Sequence, residues 1–193
     1  MMKRFFCRSG VLLTALVCML AVSGLAMAAE FSADLIQKKD DEIMKGKFYV
    51  KGNKMRMEFG EEAITIMDTD SGKTCILQPE EKMYMEMPGM EATATSAQSD
   101  EELAKIATKK HVGTEKINGY QCDKYLITYH DKSMGKMTQW YAKKLNYPIK
   151  MVYDSPEGEM VTEYKNIKEG GVNDSMFEIP RGYTKMAIPG MGK

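Results

Sequence analysis

Between Lys82 and Met90 the chain reads KMYMEMPGM, with methionine at every second position, Met83, Met85 and Met87, and Met90 just beyond. Thioether sulfur is a soft donor suited to Cu(I), so the spacing offers a Met-x-Met-x-Met copper site at Met83, Met85, Met87 and Met90. Period 2 is equally the signature of one buried face of a β-strand, on which successive same-face residues stand roughly 6.5–7 Å apart. Met186 and Met191 are further thioethers placed for surface capture of metal. Other chemistry is sparse. His111 and His130 sit in no metal-ligand spacing, and G-x-S-x-G, P-loop and dinucleotide fingerprints are absent from the sequence. Carboxylates are plentiful but alternate with lysine, as on solvated strand faces. No catalytic residue and no cofactor is expected.

The ends of the chain bear on compartment. Lys3, Arg4 and Arg8 precede an apolar run that closes on Ala26-Met27-Ala28, the pattern of a cleaved signal peptide over residues 1–28. The run is about sixteen residues, short of the roughly 20 that a spanning helix needs. Cleavage leaves 165 residues carrying 24 basic and 27 acidic side chains. That balance argues against nucleic acid and anionic membrane surfaces as partners. A soluble periplasmic protein is expected, with no membrane span after cleavage. Of four cysteines, Cys75 and Cys122 remain. In an oxidising compartment they form one disulfide or stay as two thiols, and both alternatives stand open.

The elements that must position these residues are strands. Met44, Phe48 and Val50 alternate with Lys45, Lys47 and Lys51, and Met55, Met57 and Phe59 alternate with Lys54, Arg56 and Glu58. Gly52-Asn53, Ser71-Gly72 and Asn118-Gly119 are turn signals between such runs. Ser99 and Glu102 make a capping box, and Leu103, Ile106 and Ala107 give an apolar stripe ending at Lys109-Lys110. The spacing predicts one helix of about ten residues within a loop-plus-helix segment, residues 89–110. Five or six strands before it and five after it make one mainly β (α+β) domain, residues 29–186. The stretch from Arg181 onward is expected to be loosely held, with 187–193 a flexible tail. About ten strands in one antiparallel sheet must curl, and curling around a helix covers the apolar face.

The segments MKGKFYVKGNKMRME, QPEEKMYMEMP, INGYQCDKY and FEIPRGYTKM, in this order around a central helix, resemble the LolA-like periplasmic lipoprotein-carrier superfamily. They are most similar to its single-domain members of unknown function. The resemblance implies a strongly curved antiparallel half-barrel, LolA/LolB-like, with a short helical lid over a concave apolar surface that holds acyl chains.

Fifteen of the chain's 19 methionines follow residue 28, and leucine is scarce there. Methionine is unbranched and polarizable, so it repacks around ligands of varied shape. The expected ligand-binding strand residues are Met44, Phe48, Met55, Met57, Phe59, Met83, Met85 and Met87. Leu103 and Ile106 join them from the helix, with Trp140 and Met151 from the second half. The reading is a periplasmic envelope protein holding an apolar small molecule, lipid or acylated protein. Two alternatives accompany it: a Cu(I)-binding protein, and a structural or protein-interaction component of the envelope without ligand.

Overall fold

A computed structural model describes residues 29–60, 63–88 and 100–186. The signal sequence, Met90, Ser99, Met191 and the 187–193 tail lie outside the described residues. Six strands come first: β1 (Glu30–Lys39), β2 (Glu42–Lys51), β3 (Lys54–Phe59), β4 (Ala63–Asp68), β5 (Lys73–Gln78) and β6 (Met83–Pro88). Helix α1 (Asp100–Ile106) precedes β7 (Ala107–Ile117), β8 (Tyr120–Tyr129), β9 (Lys136–Ala142), β10 (Tyr147–Ser155) and β11 (Gly158–Glu169). A two-residue strand, β12 (Thr184–Lys185), ends the series. The Asn118-Gly119 turn between β7 and β8 has both residues at positive φ, 47° and 89°, which asparagine and glycine tolerate best.

All twelve strands form one curved, unclosed sheet in the order β12-β6-β5-β4-β3-β2-β1-β11-β10-β9-β8-β7. Each half is a meander, and the halves join where β1 pairs antiparallel with β11. β6 and β7 therefore belong to opposite ends of the sheet although only residues 89–106 separate them in sequence. This is the mainly β, curved and unclosed architecture expected from the strand pattern and implied by the resemblance.

The core sits at the junction of the halves. Phe31 on β1, Phe48 on β2, Tyr147 on β10 and Tyr164 on β11 form a four-ring cluster with centroids 4.5–6.4 Å apart. Tilted and edge-on pairs such as these add about 0.5–1.5 kcal/mol each beyond their burial. Leu35, Val50 and Ile149 are buried beside them.

Two expectations are corrected and one open alternative is settled. The helix is seven residues long and stops at Ile106, and Lys109 and Lys110 belong to β7. Ladder pairing of Ala107–Ile117 with β8 overrides the local helical pattern. The chain after Arg181 is held through Met186: Thr184 and Met186 donate backbone N–H to the Lys82 and Tyr84 carbonyls at 2.9 and 2.8 Å, making β12 a parallel partner of β6. Cys75 and Cys122 are both free thiols. They sit on β5 and β8, with seven strands between them in the sheet order, so no ladder brings the sulfurs together.

Candidate functional site

Cross-strand partners in an antiparallel ladder share a face, so register shows which side chains meet. In β3–β6, Met55 is opposite Met67, Met67 opposite Thr74, and Thr74 opposite Met87. The next row runs Met57, Thr65, Ile76, Met85, and the third ends with Gln78 opposite Met83. All six methionines of these four strands therefore lie on one face. The other face carries Arg56, Ile64, Ile66, Cys75 and Leu77 and has no methionine at all. Both faces are partly apolar, so burial alone does not account for placing every thioether on one of them.

The methionine face is continuous with the core. Val50 is opposite Met55 and Phe48 opposite Met57. Going outward from this junction, cover decreases: Phe48 and Met55 are buried, whereas Met57, Phe59, Met67, Met83, Met85 and Met87 are half-buried. Met55 is further fixed by Tyr147, whose hydroxyl donates to its sulfur at 3.3 Å.

Of the expected site residues, the structure thus brings Met55, Met57, Phe59, Met83, Met85 and Met87 onto one face, with Phe48 closing its inner end. Met67 belongs there too. Sequence reasoning misses it because in AITIMD it is the only methionine and follows Thr65 by two, a signal that appears only once its pairing with Met55 is known. Met44 lies beyond Gly46 on β2 and is exposed. Met151 is buried on β10 between Gln139 and Thr162. Leu103 packs against the core cluster, while Ile106 is exposed. Trp140 donates through Nε1 to Glu115 at 2.7 Å, and the ammonium groups of Lys124 and Lys150 stand 4.8 and 5.0 Å from its ring centroid.

The opposite face of β3–β6 is strapped by the chain after β11. Arg56 donates through Nε to Glu58 at 2.6 Å and through Nη1 to the Met176 carbonyl at 2.9 Å. Lys51 donates to the Val172 carbonyl at 3.2 Å and pairs with Asp174 at 3.0 Å. Lys185 pairs with Glu86 at 2.7 Å and holds that carboxyl below its usual range.

A separate cleft of about 670 Å³ lies at the β7–β8 turn, lined by Asn118, Tyr120, Asp123, Lys143, Lys144 and Glu169 among others. Its charges are paired internally, Lys143 with Asp123 at 2.9 Å and Lys144 with Glu169 at 2.6 Å. Burial, with Glu169 accepting from the hydroxyl, pushes the Tyr120 phenol up to about 12. None of the candidate methionines lines this cleft. Among the described residues, no three His, Cys, Asp or Glu side chains are grouped to hold a metal ion. No described helix is long and apolar enough to cross a membrane.

Residues 34–146 match the family described as "Domain of unknown function (DUF4412)". No curated protein matches the chain. Among solved structures, MucB is similar with a TM-score of 0.59 at 11% identity, over 81% of this chain and 59% of that one. The chain thus spans little more than half of MucB, which also resembles it within the Pseudomonas aeruginosa MucA/MucB complex (TM-score 0.53, 14% identity, 77% and 55% covered). An uncharacterized conserved protein from Thermus thermophilus gives a TM-score of 0.58 at 12% identity, over 84% of this chain and 91% of that one. A LolA superfamily protein from Nitrosomonas europaea is also similar (TM-score 0.35, 12% identity, 80% and 91% covered). At such identities MucB and the Thermus protein share a fold with this chain.

Proposed function

The chain belongs to the DUF4412 family, and from that premise we propose that it is a periplasmic envelope protein that binds an apolar ligand on the methionine face of β3–β6. The ligand class is an acyl chain, as a free lipid or attached to a protein. The observation that carries this reading is the segregation of thioethers. Six methionines occupy one face of four adjacent strands, with Ile76 the one branched aliphatic among them, whereas Ile64, Ile66 and Leu77 sit on the other. Rigid branched side chains suit a permanent core, whereas unbranched methionine repacks around variable shapes. The half-buried state of Met57, Met83, Met85 and Met87 leaves apolar area for a ligand to cover, at about 25 cal/mol per Å² removed from water. The role is binding and passive transfer, not catalysis.

The test is uptake of a fluorescent fatty acid by the purified protein, together with lipid analysis of what co-purifies. Uptake is expected, retained when Met83, Met85 and Met87 are all changed to Leu and lost when Met85 and Met87 become Glu. A protein that neither takes up the probe nor carries lipid sinks the reading, and a protein partner on the same face then takes its place.

A further inference from the structure

The pairing of β3 with β4 assembles a donor set that is not contiguous in sequence. Met55 stands directly opposite Met67, and Met57 lies two residues from Met55 and diagonal to Met67. Directly opposed Cβ atoms are about 4.5–5.5 Å apart and diagonal ones about 7–8 Å, distances that three flexible thioethers close onto one atom. Met83, Met85 and Met87, by contrast, share a single strand, and across β5 they face Gln78, Ile76 and Thr74. Met55 is 3% exposed, and Met57 and Met67 pack partly buried against the same core. The Tyr147 hydroxyl donates to the Met55 sulfur at 3.3 Å and so fixes its orientation while leaving a lone pair for a second partner.

We propose that Met55, Met57 and Met67 form an all-thioether Cu(I) site. The chemistry of the set chooses the ion. Thioethers are soft and neutral, which favours Cu(I) over ions that take oxygen ligands. Zn(II) takes thiolate or imidazole, but Cys75 lies on the opposite face, two strands from Arg56 by way of Ile66. Among the described residues no grouping of three His, Cys, Asp or Glu offers an alternative. A neutral donor set beside an apolar core also leaves the ion's charge uncompensated. That desolvation cost grows with the square of the charge, so a divalent ion meets roughly four times the penalty of a monovalent one. The site is independent of the acyl-chain reading, because it needs only the β3–β4 trio at the inner end of the face.

The experiment is anaerobic competition for Cu(I) between the purified protein and a chromophoric Cu(I) chelator, with Ag(I) as a redox-inert stand-in. The protein is expected to withdraw one equivalent of Cu(I), with only sulfur in the first shell by X-ray absorption. Changing Met57 and Met67 together to Leu keeps volume and fold and removes the withdrawal, while the Leu triple at Met83, Met85 and Met87 retains it. A second measurement needs no variant: bound Ag(I) is expected to protect Met55, Met57 and Met67 from peroxide oxidation to sulfoxide, leaving Met83, Met85 and Met87 as reactive as before, by mass spectrometry. The proposal is overturned if the wild-type protein withdraws no Cu(I), if the Met57/Met67 variant withdraws as much as wild type, or if Ag(I) protects the β6 methionines instead.

Discussion

At the scale of single residues, backbone constraints separate cleanly from packing. Gly135 and Gly72 both have positive φ, 72° and 64°, a backbone conformation that L residues rarely adopt. A Cβ on Gly72 meets open space, whereas one on Gly135 runs into the Asp154 carbonyl and the Ser155 backbone. Gly135→Ala is therefore expected to lower the denaturation midpoint well beyond Gly72→Ala, with about 1–3 kcal/mol of overpacking added. Equal losses in urea titrations of the two variants would show that the Asp154 backbone yields freely. The candidate methionines illustrate how far residue-level reading reaches. Met55, Met57, Met83, Met85 and Met87 are visible through alternation within their own strands. Met67 is not, because its partner lies on another strand and contact across a ladder leaves no local trace. Trp140 shows the converse: its apolar ring suggests a ligand wall, but its neighbours by register, Lys124 and Lys150, surround it with charge.

At the scale of elements, the strap and the helix are the parts held by few contacts. Arg56 is the chief tie between β3 and the segment after β11, through the Met176 carbonyl. Replacing Arg56 with Met removes a charge-assisted hydrogen bond worth about 1.5–3 kcal/mol. Limited proteolysis is expected to cut that variant between Asn173 and Lys185 faster than the parent, and unchanged cleavage would show that Lys51 and β12 suffice. Helix α1 has no buried residue and, at seven residues, is far below the ~12–15 at which isolated helices become even marginal. Its amides should exchange with deuterium within the fastest class of the described residues, while β1, β2 and β11 exchange in the slowest. Protection of α1 equal to that of β1 would mean that it docks as a firm cover. β7, at the far edge of the sheet, is defended by Lys109, Lys110 and Lys116 and by a register shift between His111 and Gly113; charge and bulge are the usual defences against further pairing.

At the scale of the whole molecule, ionisation defines a plateau of stability. Asn166 and Lys47 hold the Asp34 carboxyl below its ordinary range, Lys143 does the same for Asp123, and Lys144 with Tyr120 for Glu169. A carboxyl depressed in the folded state binds its proton more tightly when unfolded. Its contribution is present above the unfolded value of about 4 and is lost as pH falls below that. At the other end, burial pushes the Tyr164 phenol well above its usual value and Tyr120 to about 12. Groups raised in this way stabilise fully below the unfolded value of about 10 and cease to as pH rises through the folded one. Denaturation midpoints are thus expected to be level from about pH 5 to 9 and to fall on both sides; a continuous slope across that window would contradict the assignment. Composition, alternation and turn residues by themselves determined that the chain is mainly β, where turns such as Gly52-Asn53, Ser71-Gly72 and Asn118-Gly119 fall, and which side chains of each strand point the same way. Those are local properties, set by the period of 2 and by φ at the turns. Tertiary structure alone decided that β1 and β11 join the halves, that the chain after Arg181 returns as β12, that Cys75 and Cys122 are far apart in the sheet order, and that Met67 meets Met55. Each of these depends on which distant strands pair, and backbone hydrogen bonds are chemically alike in every strand, so only the burial of the whole sheet selects among the pairings.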